Sequence, residues 1–196
     1  MGRIYVIMGK SASGKDHIYQ KVKEDGSPGL KELILYTTRP KREGEVNGRE
    51  YYFTDEDHLE ALRKEGRIIE ERVYDTVYGP WYYFTADEGQ IQTDSFDYIT
   101  IGTLESYVKM KNYFAEGILC PLYIEVEDGE RLLRAIKREQ KQKEPQYAEM
   151  CRRFLADAED FSEERIREAG IDKRFSNDGA IEDCINEIKD HIRGLK

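Results

Sequence analysis

The fold of this chain is decided at Gly9-Lys10-Ser11-Ala12-Ser13-Gly14-Lys15-Asp16, which directly follows the apolar run Ile4-Tyr5-Val6-Ile7-Met8. In the pattern G-x-x-x-x-G-K-[ST], the glycines let backbone N–H groups turn toward a phosphate, a helix N-terminus adds positive potential, and the lysine reaches the outer phosphates. The apolar run is typical of a buried parallel strand, and helical patterning follows from Lys15 to about Glu24. The stretch therefore predicts a nucleotide-binding phosphate loop, with an ordinary Gly/Ser-rich turn as the alternative.

Asp16 occupies the last position of this pattern, where Ser or Thr normally supplies a hydroxyl ligand to Mg²⁺. A carboxylate is also a hard oxygen ligand, so Asp16 can hold Mg²⁺ directly or through water. Alternatively, Asp16 only favours the helix N-terminus electrostatically. The loop residues that we expect to bind ATP are Gly9, Ser11, Ala12, Ser13, Gly14, Lys15 and Asp16, with Asp16 also the candidate metal ligand.

Composition limits the class of protein. The 196 residues, 39% of them hydrophobic, suffice for one α/β domain with a substantial core. A net charge of −9 opposes nucleic-acid binding, and the three widely spaced cysteines suggest neither disulfides nor a zinc site. Without a signal peptide or a long apolar segment, we expect a cytoplasmic protein that binds no membrane and is a monomer or homodimer.

Strand and helix patterns alternate along the rest of the chain, as expected for a parallel sheet flanked by helices. Turns are predicted at Gly26–Gly29 and at Tyr78-Gly79-Pro80. Further strands are predicted at Leu33–Thr38, Tyr51–Phe53, Ile68–Tyr74, Trp81–Thr85, Tyr98–Ile101, Leu119–Val126 and Lys173–Ser176. Further helices are predicted from an N-cap at Thr54 to about Lys64, and at Leu104–Phe114, Asp128–Gln142, Tyr147–Phe161 and Ile181–Ile192.

A second motif runs from Tyr36 to Phe53 with the sequence Y-T-T-R-P-K-R-E-G-E-V-N-G-R-E-Y-Y-F. Two arginines in a proline-containing loop can fork onto phosphate oxygens, and a tyrosine hydroxyl adds a neutral donor. The motif closely resembles the T-T-R-x-P-R-x-G-E-V-x-G-x-x-Y-x-F block of the guanylate kinase family. A basic surface turn beside core aromatic residues is the alternative interpretation.

The resemblance implies a P-loop NTPase-like α/β fold with an inserted monophosphate-binding subdomain and a helical lid. It places the core at about 1–38, 93–136 and 154–196, the monophosphate-binding region at about 39–92 and the lid at about 137–153. Arg39, Arg42, Tyr51 and Tyr78 would then bind the phosphate of GMP. Glu70 would read guanine, since a carboxylate accepts from adjacent ring N–H and amino donors.

Two positions near the expected base depart from the family pattern. Pro80 replaces a Thr or Ser, and the next strand has Thr100 and Gly102 near the place of an acidic pair. Guanine selectivity would therefore rest on Glu70, with Glu71 as a possible helper, and Thr100 is counted among the expected GMP-binding residues. The aromatic run Trp81–Phe84 is interpreted as strand and core residues, with stacking on a base as the alternative.

The C-terminal third carries arginines that also match the family. Arg134 and Arg138 resemble a pair in the helix leading into the lid, and Arg153 matches the arginine of a K-R-L segment of the family. Asn177 resembles an asparagine near the adenine of ATP, and Arg134 and Asn177 are the ATP-binding residues expected outside the loop. The charged helices that hold these arginines have the composition of a mobile flap, although a solvated helical hairpin would have the same composition.

The resemblance implies transfer of the terminal phosphoryl group of ATP to GMP or dGMP, with Mg²⁺ as cofactor. Lys15, Arg39, Arg138 and Arg153 are the expected catalytic residues, because this chemistry needs positioning and charge neutralisation and no general base. The alternatives are a kinase for another nucleoside monophosphate, and a nucleotide-binding or interaction module of the same fold that has lost catalysis.

Overall fold

The computed structural model describes residues 1–24, 29–76 and 78–195. Of the turn predicted at Gly26–Gly29, only Gly29 falls among the described residues, and Val77 beside the Tyr78 turn also lies outside them. The elements in chain order are β1 Ile4–Met8, α1 Lys15–Glu24, β2 Leu30–Glu32, β3 Tyr36–Thr37, β4 Tyr52–Phe53, α2 Glu56–Lys64, β5 Ile68–Thr76, β6 Gly79–Ala86, β7 Asp97–Ile101, α3 Leu104–Lys111, β8 Leu119–Glu125, α4 Asp128–Glu139, α5 Tyr147–Asp160, α6 Glu163–Glu168, β9 Arg174–Ser176 and α7 Ile181–Gly194.

The main sheet has five parallel strands in the order β2-β7-β1-β8-β9. Its central strand β1 is fully buried at every position because both faces of the sheet are covered. One face packs Tyr5 and Ile7 against α1 and α7, and the other packs Val6 and Met8 against residues of α3 and α6. The continuous apolar run of β1 follows from this two-sided burial.

A second sheet, with the order β4-β3-β6-β5, lies between β2 and β7 in the chain and packs against α2. Its largest pairing is the antiparallel hairpin of β5 and β6. Ile69 of β5 joins the hydrophobic cluster of the main sheet, so the two sheets share a boundary.

The single strand predicted at Leu33–Thr38 is wrong. The chain instead forms β2, which pairs with β7 in the main sheet, and then β3, which pairs with β6 in the second sheet. Leu33 is buried in the cluster of the main sheet and Tyr36 in that of the second sheet, so one apolar run serves two cores. Periodicity alone does not register such a change of partner.

Smaller differences concern the ends of elements. Asp55, rather than Thr54, caps α2, because the Asp55 carboxylate accepts from the backbone N–H of His58 at 2.9 Å. The helix α6 was not predicted; it is a short segment that begins after the cap Ser162. The helix α3 ends at Lys111 and α4 at Glu139, three residues earlier than predicted in each case. Among the described residues, no helix combines the length and apolar character needed to cross a bilayer.

Ile188 of α7 is fully buried in the cluster that covers β1, whereas Leu155 of α5 is 70% exposed. We expect Ile188→Ala to lower the free energy of unfolding by about 2–5 kcal/mol, because it leaves a cavity against the sheet. Leu155→Ala is the matched control and should change stability by less than about 1 kcal/mol. Urea denaturation measures both, and equal losses in the two variants would contradict this packing.

Candidate functional site

The candidate site lies at the carboxyl edge of the main sheet, where strand order reverses. The chain moves from β1 to β2 on one side of the sheet, and from β7 across β1 to β8 on the other. In open parallel sheets, ligands bind at such a switch point. The loop Gly9–Asp16 leaves β1 at this point, and Gly102 after β7 donates its backbone N–H to the Ile7 carbonyl at 3.0 Å.

The backbone of the loop depends on small residues. A Cβ at Gly9 would lie 2.6 Å from the carbonyl oxygen of Ile124 on β8. Gly14 has a φ of +85° and Ala12 a φ of +63°. Among the described residues, Ala12 is the only non-glycine residue with a positive φ. Positive φ values of this kind turn successive N–H groups inward to form an anion-binding concavity.

Neighbouring elements hold the loop in place through side chains. The Asn177 amide donates to the Ser13 carbonyl at 2.8 Å, and the Arg134 guanidinium donates to the Asn177 carbonyl at 2.9 Å. The Arg131 guanidinium donates to the Ser11 carbonyl at 3.1 Å, and the Ser11 N–H donates to the Asp157 carboxylate at 2.7 Å. Thus Arg134 and Asn177, both predicted to bind ATP, meet at the loop.

Arg131 and Asp157 were missed by sequence reasoning. Arg131 is 1% exposed and pairs with Asp128 at 3.0 Å and with Asp157 at 3.5 Å. In the sequence both are ordinary charges on highly charged helices, and no local signal separates them from solvated neighbours. Their contacts with the loop are visible only once α4 and α5 pack against it.

Lys15 and Asp16 open α1 at the end of the loop. The Lys15 ammonium lies 3.5 Å from the Asp16 carboxylate, whose side chain is 79% exposed. Asp16 is therefore open to water and to any ion brought by a nucleotide, and it offers one hard oxygen donor group. No cluster of three or more metal-ligating side chains occurs among the described residues, so a metal here would take its other ligands from phosphate and water.

Arg39 anchors the second predicted motif. Its guanidinium is 3% exposed, forks onto the Glu45 carboxylate at 2.8 and 2.9 Å, and lies over the rings of Tyr51 and Phe53. Hydrogen bonds from Arg39, and from the Arg42 backbone N–H, lower the pKa of Glu45 to about 2, against the smaller opposing effect of burial. Glu45 was not singled out from the sequence, and it organises the loop from Arg39 to Glu45.

The structure does not bring all four predicted phosphate-binding residues together. Tyr51 packs edge-on against Tyr83, and burial raises its pKa. The Arg42 side chain is exposed at the surface of its loop. Tyr78 lies at the tip of the β5–β6 hairpin, where it is 82% exposed and stacks parallel to Trp81.

Glu70 sits on β5 at the boundary between the sheets, with its side chain fully buried. It accepts from Thr85 at 2.9 Å and from Arg72 at 3.1 and 3.3 Å. Arg72 also reaches Thr103, the N-cap of α3, at 3.5 Å. Arg72 is a further residue that the sequence did not single out.

Arg138 and Arg153 lie on α4 and α5, close to the two ends of the predicted lid at about 137–153. Arg138 is exposed, and Arg153 pairs with Glu149 at 3.6 Å and with Glu139 at 3.9 Å. Glu139 is 1% exposed and also accepts from the backbone N–H of Gln146, so it ties the connection after α4 to α5.

Several predicted site residues bury polar atoms that have no hydrogen-bond partner among the described residues. They are the Ser13 hydroxyl, the Arg39 Nε, the Thr100 hydroxyl, the Arg153 Nε and the Asn177 carboxamide oxygen. Buried polar groups are normally paired, so a concentration of unpaired ones indicates a place for ligand or water.

Comparisons with known proteins bear on this arrangement. A family model described as Guanylate kinase matches residues 1–88, which include the phosphate loop and the Arg39 motif. The match covers 88 of the 196 residues, so the N-terminal part of the chain is similar to guanylate kinases. Guanylate kinases of Rhodopseudomonas palustris strains HaA2 and BisB5 are 39% and 37% identical over 79 residues, which is 40% of this chain and 36% of each relative.

A guanylate kinase of Neisseria gonorrhoeae is 29% identical over 119 residues, which is 60% of this chain and 56% of that relative. The matched segments thus span between 36% and 56% of these relatives' own length. The crystal structure of guanylate kinase from Anaplasma phagocytophilum covers 98% of this chain and 85% of that chain, with a TM-score of 0.67 and 20% identity. This likeness confirms the predicted P-loop NTPase-like α/β fold.

Glu45 provides a pH test of the Arg39 loop. Because its pKa in the folded protein, about 2, lies below the usual value of about 4.3, the ionised form stabilises the fold above that usual value. We expect Glu45→Gln to lower the free energy of unfolding at pH 7 by about 1–2 kcal/mol. The difference from wild type should shrink as the pH falls from about 4.3 toward 2.

Denaturation of both proteins by urea at several pH values measures this difference. Glu43→Gln is the control, because Glu43 is an exposed carboxylate in the same loop. A Glu45→Gln penalty that did not vary with pH would count against the ion pair as its cause.

Proposed function

We propose that this protein transfers the terminal phosphoryl group of ATP to GMP or dGMP, giving ADP and GDP or dGDP. The observation that carries the proposal is that two adjoining sheets each hold a positively charged site suited to an anion. One is the turned loop Gly9–Asp16 with Lys15, and the other is the buried Arg39 beside Tyr51. The similarity of residues 1–88 to the guanylate kinase family model, and of stretches of 79 and 119 residues to individual guanylate kinases, supports the same activity.

The loop would hold the donor. Its inward N–H groups and Lys15 would bind the outer phosphates of ATP, while Asn177 and Arg134 would lie toward the adenine end. The Arg39 guanidinium, with Arg42, Tyr51 and Tyr78, would hold the phosphate of the monophosphate. Arg42 and Tyr78 are exposed in the structure, so they would turn inward when the acceptor binds.

Phosphoryl transfer then needs the two nucleotides in line and their charge neutralised. Arg138 and Arg153 on α4 and α5 would approach the transferred group, and closure of these helices would exclude water and suppress hydrolysis of ATP. The residues present also fit a magnesium ion, since the exposed Asp16 carboxylate is a suitable oxygen ligand beside the phosphates. When bound, Mg²⁺ would neutralise phosphate charge.

A catalytically impaired nucleotide-binding or interaction module is the second candidate, and Asp16 is the observation that favours it. Calorimetry with ATP and with GMP separates the two functions, because a pure interaction module should bind neither nucleotide. The buried unpaired atoms of Ser13, Arg39 and Asn177 favour binding.

We expect ADP to form in a coupled assay with ATP, Mg²⁺ and either GMP or dGMP, and much more slowly with AMP, CMP or UMP. Lys15→Met should lower kcat/KM by about 100-fold or more, because it removes a donor that neutralises the transferred phosphoryl group. Lys21→Met is the control, because Lys21 lies in the last turn of the same helix, away from the loop, and its loss should leave kcat/KM unchanged. Absence of turnover with every acceptor, in folded protein, would overturn the proposed activity.

Asp16 can be tested by its metal dependence. We expect Asp16→Asn to raise the free Mg²⁺ concentration needed for half-maximal activity about 10-fold, whereas Asp16→Ser, which restores a hydroxyl ligand, should keep activity at ordinary Mg²⁺. Initial rates at fixed ATP over a range of free Mg²⁺ give this value. An unchanged Mg²⁺ dependence in Asp16→Asn would assign Asp16 to the electrostatics of the helix N-terminus instead.

A further inference from the structure

The carboxylate expected to read guanine is already occupied in this chain. Both oxygens of Glu70 accept hydrogen bonds, one from Thr85 and Arg72 and the other from Arg72. The Glu70 side chain is also fully buried. A carboxylate has about four lone-pair positions, and three of these contacts are already made. Glu70 therefore has no room to accept from both the ring N–H and the amino group of guanine without releasing Arg72.

Arg72 stands between Glu70 and the carboxyl edge of the main sheet. Its side chain is 8% exposed, and its Nη1 lies 3.5 Å from the hydroxyl of Thr103, two residues after the end of β7. The end of β7 pairs with Ile7 of β1, next to the phosphate loop. Arg72 also lies near Tyr51, one of the residues proposed to bind the acceptor phosphate. Burial and Tyr83 raise the pKa of Tyr51, whereas the positive charges of Arg39 and Arg72 lower it.

The guanidinium of Arg72 has one edge in use and one available. Nε and Nη2 form the edge that forks onto Glu70. The other edge, Nη1 with Nη2, has the long contact to Thr103 as its one partner among the described residues. A guanidinium has five N–H donors and no acceptor, so this edge can only bind a group that presents acceptors.

We propose that Arg72 is the base-recognition residue of this chain and that it binds O6 and N7 of a 6-oxopurine, with Glu70 as a positioning residue that fixes the guanidinium. The proposal rests on the proposed kinase function. An arginine fork matches the two adjacent acceptors O6 and N7 of guanine. Adenine presents an amino donor beside N7, so it would be rejected. The 2-amino group of guanine makes no contact in this arrangement, so inosine monophosphate should be accepted as well.

The two modes of recognition make opposite predictions for two GMP analogues. Inosine monophosphate lacks the 2-amino donor that a free Glu70 carboxylate would bind, but keeps O6 and N7. The monophosphate of 7-deazaguanosine lacks N7 but keeps both donors. With wild-type protein, we expect IMP to bind and react within about 3-fold of GMP, and 7-deaza-GMP to be weaker by about 10- to 100-fold.

The measurements are equilibrium binding of each monophosphate by calorimetry and kcat/KM for each with ATP and Mg²⁺. Binding that follows GMP and IMP over 7-deaza-GMP supports Arg72, whether or not turnover occurs. A loss with IMP and none with 7-deaza-GMP would overturn the inference and return base reading to Glu70. Binding of CMP as strong as that of GMP would also overturn it, because cytosine has neither O6 nor N7, the two atoms that Arg72 is proposed to recognise.

The failure of the wider proposal looks different. If the monophosphates bind with the expected order but no ADP forms, the kinase function fails and the inference about Arg72 stands. If no monophosphate binds at all, both are overturned.

Arg72→Lys tests the residue directly. Lysine keeps a positive charge beside Glu70 but cannot fork onto two acceptors, so the preference for GMP over 7-deaza-GMP should fall to about 3-fold or less. A purely structural role for Arg72 would weaken all acceptors in parallel and leave that ratio unchanged. Arg63→Lys is the matched control. Arg63 of α2 forks in the same way onto Glu71, which neighbours Glu70 on β5 and faces the opposite side of that strand. The analogue series with wild-type protein decides the question even if Arg72→Lys does not fold.

Discussion

The approach of bare backbone to backbone at Gly9 is the constraint on which the rest of the site depends. A side chain there would collide with the Ile124 carbonyl of the neighbouring strand, and a side chain at Gly14 would lie 2.6 Å from the amide of Asn177. The loop can therefore pack directly against the ends of β1, β8 and β9. This close packing allows Asn177 and Arg131 to donate hydrogen bonds to carbonyl groups of the loop. Helices and strands that are far apart in sequence thus contact the same eight residues.

A second regularity is that buried arginines around the site are each matched by a carboxylate. Arg39 has Glu45, Arg72 has Glu70, and Arg131 has Asp128 and Asp157. An unpaired buried charge is costly, so these carboxylates allow guanidinium groups to be held ready inside a protein of net charge −9. The overall acidity and the local concentration of cations are therefore compatible.

Much of the fold could be predicted because its signals are local. The strand β1, the phosphate loop and α1 follow from one continuous stretch, and the Arg39 motif is long enough to identify by resemblance. The change of sheet between Leu33 and Tyr36 could not be predicted, because it depends on which core each residue joins. Glu45, Arg72, Arg131 and Asp157 were missed for a similar reason: their roles come from partners that local sequence patterns do not identify. The exposure of Arg42 and Tyr78 could not be read from the sequence either.

The fork between Arg39 and Glu45 has a consequence for affinity. A phosphate bound as proposed would meet a guanidinium that already forks onto a carboxylate, so its binding would be an exchange of one anion for another. The net free energy is the difference between two similar pairings, and it is smaller than either. Such an exchange suits a site that must release its product, because the internal carboxylate is always present to displace the departing phosphate.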